Sequence, residues 1–253
     1  MGDIETAWRL IGEDAARWRE SGEIAAAVAG DLLRQAADWP LALGWLVTSQ
    51  LGEASSAAAI RETASNLFAD PKIQQAAARD LLMARARNSV FIDHLTVFAA
   101  SKGFLSLTGY RLANALWLKG DRASAVYLQN RVSMVTGVDI HPAARLGSGL
   151  LFDHATGVTI GETSVIEDDV ALWHGVTLGS TFTESGDRHP KIRRGAIIAA
   201  NATILGNIEV GEGAVVAAAA LVTKPVPPRV TVAGMPARIV SETVNVWLVE
   251  PST

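Results

Sequence analysis

The stretch from Ile140 to Val222, IHPAARLGSGLLFDHATGVTIGETSVIEDDVALWHGVTLGSTFTESGDRHPKIRRGAIIAANATILGNIEVGEGAVVAAAALV, decides the fold. Aliphatic or aromatic residues recur at every sixth position, first at Ile140, Leu146, Phe152 and Val158. After a two-residue step the series resumes at Ile160, Ile166, Leu172 and Leu178; a gap of fourteen then leads to Ile192, Ile198, Ile204, Val210, Val216 and Val222. An amphipathic helix repeats near 3.6 and a half-buried strand near 2, so neither produces this period. A coil of three short flat strands joined by sharp corners does, because each hexapeptide forms one side and sends one residue inward. Gly147, Gly161, Gly179 and Gly211 follow guide residues, as tight corners require. The break between Leu178 and Ile192 is polar, GSTFTESGDRHPK, and predicts a loop thrown out of the coil, a usual place for binding groups.

Upstream the period is helical. Ala-rich blocks at Glu13–Gln35 and Ser55–Ala69 predict helices, and Asp70–Pro71 reads as a capped helix start. Gly103–Lys119 carries Leu105, Leu112, Leu116 and Trp117 at helical spacing and stops at Gly120–Asp121; a further helix is predicted over Ala123–Val132. The organisation expected is therefore a helical domain over residues 1–137, a solenoid over 138–240 and a tail over 241–253. The helical part should cover one open end of the solenoid, and Pro225–Pro228 with Gly234–Pro236 the other.

Composition narrows the function. A net charge of −4 argues against nucleic acid or an anionic membrane as partner. No apolar run approaches the ~18 residues of a spanning helix, and the first residues do not read as a signal peptide, so a cytoplasmic protein is expected. The absence of cysteine excludes disulfides, thiolate metal sites and Cys nucleophiles.

Four of the five histidines fall in the repeats: His141, His154, His174 and His189. Asp153–His154 lies at a corner, and Asp139 stands fourteen residues before Asp153. A carboxylate on one imidazole nitrogen fixes the tautomer and raises the basicity of the other, a pairing able to take a proton from an alcohol. The residues alone leave three readings open: a catalytic dyad, corner hydrogen bonds, or a metal site, although no local ligand cluster has metal spacing. His189, on the extruded loop, offers a second polar contact. His174 beside Trp173 reads as a coil wall, His141 as a structural corner, and Glu167, Asp168 and Asp169 as a solvated corner.

DIHPAA, DHATG, GVTLG, GDRHPKIR, ILGNIEVGEGA, KPVPP and AGMPARIV, behind KGF, YR, LW and LQN, resemble the serine O-acetyltransferases of the hexapeptide-repeat superfamily. The resemblance implies an α+β chain, an all-helical N-terminal domain followed by a left-handed parallel β-helix, trimeric and paired into a hexamer. It implies acetyl-CoA as co-substrate, no metal, and L-serine as acceptor on the way to cysteine. By this match His154 is the general base and Asp139 its carboxylate partner, while Asp153, Arg188 and His189 hold the amino acid. CoA should touch Gly179, Ser180, Thr181, Ala200, Ala218 and Lys224 between neighbouring subunits. The chain departs from the family at Asn88–Ser89, where an Asp-Pro pair is expected to supply a carboxylate for the serine ammonium, with Asp93 nearby as a substitute. A charge-assisted hydrogen bond is roughly twice as strong as a neutral one, so a different small hydroxylated acceptor is the competing reading, with a non-catalytic trimeric scaffold behind it. Weaker feedback inhibition by cysteine follows from the same change. Ser180, Phe182 and Glu184 depart from a loop usually richer in glycine, and the end Pro251–Ser252–Thr253 lacks the Ile with which the family docks O-acetylserine sulfhydrylase, which argues against that complex.

Overall fold

The computed structural model describes residues 2–181 and 185–243. Phe182, Glu184 and the tail from residue 244, with the expectations attached to them, lie outside those residues. Eight helices come first: α1 Asp3–Arg19, α2 Glu23–Gln35, α3 Trp39–Leu51 and α4 Ala57–Leu67, then α5 Pro71–Arg87, α6 His94–Ala100, α7 Lys102–Leu118 and α8 Arg122–Thr136. Side-chain caps start five of them: Asp38, Asp70, Asp93, Ser101 and Asp121 each accept an otherwise orphaned backbone N–H in the first turn. Pro71 occupies the first turn of α5 as the sequence suggests. The block Glu13–Gln35 is not one helix. The chain breaks at Ser21–Gly22, with Gly22 extended, and the break lets α2 fold back on α1.

Helix α7 joins the two parts of the molecule. Its Phe104, Leu105 and Leu112 belong to the core of the helical bundle, whereas Leu107 and Tyr110 belong to the solenoid core. Buried on nearly every side from Gly103 to Ala113, it plugs the open end of the coil.

Thirteen short parallel strands follow, arranged on three faces. Face A holds β1 Asp139–Ile140, β4 Thr159–Ile160, β7 Thr177–Gly179, β10 Thr203–Leu205 and β13 Leu221–Val222. Face B holds β2 Arg145–Leu146, β5 Val165–Ile166, β8 Lys191–Ile192 and β11 Glu209–Val210. Face C holds β3 Leu151–Asp153, β6 Ala171–Trp173, β9 Ile197–Ile198 and β12 Val215–Val216, extended by the hairpin β14 Val230–Ala233 and β15 Arg238–Glu242. Guide residues stack on one another: Ile140 on Ile160, Ile160 on Leu178, Leu178 on Ile204, and Ile204 on Val222. Buried aliphatics in register supply the dominant stabilisation, about 1.5–3 kcal/mol for each fully buried side chain.

The structure corrects two readings. Val158 is buried but belongs to a corner, not a strand. Ile140 pairs with Ile160, so the two-residue step is extra chain placed in the corner that carries His154. The second correction concerns Glu167–Asp169: Asp169 is buried at 5% exposure, because three arginines converge on it.

Candidate active site

His154 follows β3 at the corner between faces C and A. The residue and its neighbour Ala155 both adopt left-handed backbone (φ 56° and 57°), uncommon for side chains other than glycine and a feature that collects at functional sites. This turn pushes the imidazole outward, where it is 74% exposed. Asp153 Oδ2 lies 3.7 Å from its Nε2. The other oxygen of Asp153 accepts a 2.9 Å hydrogen bond from the Asn88 amide, delivered by the C-terminal end of α5. Asn88 cannot easily flip, because its carbonyl oxygen accepts the Val90 N–H at 3.0 Å, which leaves the NH2 for the carboxylate. Lys102, at the start of α7, donates to Thr156 Oγ1 at 3.0 Å. These groups line a cleft of about 530 Å³ between α5, α7 and the corner.

Asp139 sits at the foot of the same corner, its N–H bonded to the Val158 carbonyl. Its Oδ1 accepts from Gln129 Nε2 at 2.7 Å, and among the described residues no hydrogen bond joins it to His154. Among the described residues the carboxylate beside the imidazole is therefore Asp153. Asp93 does not replace the missing family carboxylate: it caps α6 through Thr96 and accepts from the Trp18 indole. His94 is likewise drawn to Asp14, 3.7 Å away, and does not line the cleft. His141 is structural in its contacts, accepting the Ala143 N–H and packing edge-on to Trp117.

His174 carries more than the wall position suggested. Asp153 pairs with Trp173, so the next residues, His154 and His174, stack one coil apart, with ring centroids 5.9 Å apart and edge to face. Its Nδ1 is buried without a hydrogen-bond partner among the described residues. The signal was present in the register, since both histidines follow a face-C strand.

Arg188 and His189 stand at a different corner, between faces A and B. Arg188 pairs with Glu162 at 2.7 Å, and that bond lowers the Glu162 pKa. The Thr163 N–H donates to His189 Nδ1 at 3.2 Å, so Nδ1 is an acceptor and the ring proton sits on Nε2. Burial, reinforced by Arg188, pushes the His189 pKa below its ordinary value and keeps the ring neutral. The ring lies so close to Gly161 that a Cβ there would overlap Cδ2 and Nε2. Glycine at 161 is thus required by the close approach of the histidine.

The residues expected to meet CoA divide between the same two corners. Ala200 and Ala218 continue the line above His154 and His174, the Ala219 N–H donating to the Ala200 carbonyl. Gly179, Ser180 and Thr181 leave β7 on the His189 side, and Lys224, exposed, follows β13 on that side two coils up. Among the described residues no group of three or more His, Asp or Glu could hold a metal, and no helix is long and apolar enough to cross a membrane.

The chain is similar to known proteins over nearly its whole length. Residues 7–109 match the family model for the N-terminal region of serine acetyltransferase. The serine acetyltransferase of Salmonella typhimurium is 44% identical over 242 residues, which are 95% of this chain and 89% of the relative. The crystal structure of serine acetyltransferase from Vibrio cholerae superposes with a TM-score of 0.93 at 43% identity, covering 97% of this chain and 96% of that one. The serine acetyltransferase of Brucella abortus in complex with coenzyme A gives 0.91 at 40% identity, covering 94% and 96%. With its plugged solenoid, its histidine corner and relatives matched over nearly their whole length, this chain belongs to the serine acetyltransferase family.

Proposed function

We propose that this chain transfers the acetyl group of acetyl-CoA to the hydroxyl of L-serine, releasing CoA and O-acetylserine, the activated precursor of cysteine. The observation that carries the reading is the His154 corner: an outward imidazole beside Asp153, whose second oxygen is held by Asn88 at a cleft wide enough for a small amino acid. A serine hydroxyl is a poor nucleophile at neutral pH. His154 takes its proton as the oxygen attacks the thioester carbonyl, the carbonyl electrons move onto oxygen, and the tetrahedral adduct collapses with loss of the C–S bond. The imidazolium then returns the proton to the departing thiolate. General-base help of this kind is typically worth ~10²–10⁴ in rate. Asp153, held by the Asn88 NH2, receives the serine ammonium, and Arg188 and His189 receive its carboxylate side. Asp139 is assigned the bracing role by its match to the family motif; its Oδ2 makes no hydrogen bond among the described residues, which leaves it able to approach the ring.

The two half-sites lie on different corners of one triangular prism. A trimer in which the His154 corner of one protomer faces the His189 corner of the next would complete the site, with CoA in the groove between them and the helical regions pairing trimers into a hexamer. Acetyl-CoA as donor supports a cytoplasmic location. Asn88 favours one competing acceptor class, a small alcohol without an ammonium group. Release of CoA thiol measured with L-serine and with matched hydroxy acids tests both: turnover of serine supports the proposal, and turnover of the hydroxy acids alone overturns it.

A further inference from the structure

Asp169 takes no part in the chemistry above, yet three guanidinium groups surround it. Its Oδ1 accepts from Arg79 Nη2 at 2.7 Å and its Oδ2 from Arg194 Nε at 3.1 Å. Its backbone carbonyl accepts from Arg87 Nη1 at 2.9 Å, and Arg87 Nη2 lies 4.0 Å from Oδ1. Both Asp169 and Arg87 are buried, their side chains 7% and 8% exposed. The backbone is shaped to present this carboxylate. Asp169 is left-handed (φ 64°), its N–H donates to the Ser148 carbonyl at 2.9 Å, and Gly149 opposite is also left-handed (φ 69°). A Cβ on Gly149 would lie 2.6 Å from Asp169 Oδ1 and 3.3 Å from Arg79 Nε, so a side chain at 149 would break up the cluster.

Stability alone is a weak reason to bury such a group, because desolvating the charges offsets much of their attraction and an apolar cluster often does as well. A charged clamp is better at fixing one geometry. Arg79 and Arg87 both belong to α5, and eight residues of helix separate them by about 12 Å along its axis. Holding both to one solenoid corner fixes the position and the rotation of the helix. The residue after Arg87 is Asn88, which ends α5 and meets Asp153 beside His154. The clamp therefore stands one residue away from the acceptor site.

We propose that Asp169 is a positioning residue for the acceptor: by gripping Arg79 and Arg87 it sets the end of α5, and so the place where Asn88 holds the Asp153 carboxylate that receives the substrate ammonium. The inference rests on the serine-acetylating reading above. It is tested by steady-state kinetics of the full-length protein, varying each substrate, for wild type, Asp169→Asn and Arg87→Lys, with melting temperature recorded alongside. Serine KM is expected to rise roughly three- to tenfold, the scale of coupling between contacting groups, with acetyl-CoA KM within about twofold of wild type. In an Asn88→Ala background, Asp169→Asn should raise serine KM no further. A purely structural part would lower the active fraction and apparent kcat while leaving both KM values alone, and that pattern, or full additivity with Asn88→Ala, overturns the clamp. If Asp169→Asn does not fold, Arg87→Lys decides by the same criteria. Failure of the wild type to acetylate serine removes the functional reading and the clamp with it; serine turnover with unchanged serine KM in the variants removes the clamp alone.

Discussion

Replacing Asn88 by Asp should convert a half-charged acceptor site into a fully charged one. The Asn88 NH2 now donates to Asp153 Oδ1 at 2.9 Å while its carbonyl oxygen accepts the Val90 N–H. In Asn88→Asp one carboxylate oxygen keeps the Val90 bond, and the other comes to face Asp153 across the same short gap. Empty, the site then holds two like charges, which raises the pKa of one of them. With serine bound, the ammonium sits between two carboxylates and makes two charge-assisted bonds instead of one. Such bonds contribute about 1.5–3 kcal/mol against about 0.5–1.5 for neutral ones, so a net gain near 1.4 kcal/mol is reasonable for this half-exposed site. That corresponds to roughly a tenfold lower serine KM. kcat should change little, because the added attraction acts on ground state and transition state alike. The assay is thiol release from acetyl-CoA with serine varied, Asn88→Ala serving as the neutral control. Inhibition by cysteine, which presents the same ammonium, should tighten by a similar factor, and a hydroxy acid lacking it should bind worse. A serine KM unchanged or raised in Asn88→Asp would refute the idea that charge at this position limits binding.

Other expectations follow from the same corners. His154→Ala should lower kcat by about 10²–10⁴ while oligomer size by light scattering stays that of wild type; near-normal turnover would remove the imidazole from the mechanism. Gly161→Ala should displace the His189 ring that lies against it and raise serine KM several-fold, and a crystal structure of the variant with His189 unmoved would contradict this. Mixing His154→Ala and His189→Ala subunits by co-expression should restore part of the activity if each site draws on two protomers, whereas an inactive mixture would place both residues in one protomer's site. The His189 pKa is lowered by burial, so the native state holds this ring neutral and the unfolded state takes up the proton first as pH falls. Stability should therefore be full above the ordinary histidine value of about 6.5 and decline below it, and less steeply in His189→Asn, as melting curves between pH 7 and 5 would read. An equal decline in that variant would assign the loss to other groups.

The six-residue period is a local property, written in order along the chain, and it alone determined that the region from Ile140 to Val222 coils on three faces. Helix starts at Asp70–Pro71 were legible for the same reason, since a cap acts on N–H groups two or three residues away. The motifs around His154 and His189 carried the chemistry, and Asn88–Ser89 stood out as a departure from the family pattern. What the sequence did not reveal depends on residues far apart along the chain. Asp169 looked solvated among its acidic neighbours, and only the packing of α5 against the solenoid brings Arg79 and Arg87 to it. Asp153 beside Asn88, sixty-five residues apart, is likewise a product of docking the bundle on the coil. His174 joins His154 because the first coil has two extra residues at its corner, a register that is fixed when buried guide residues stack. Period is dictated by each residue's near neighbours; contact is decided by which apolar surfaces close on one another, and that requires the folded chain.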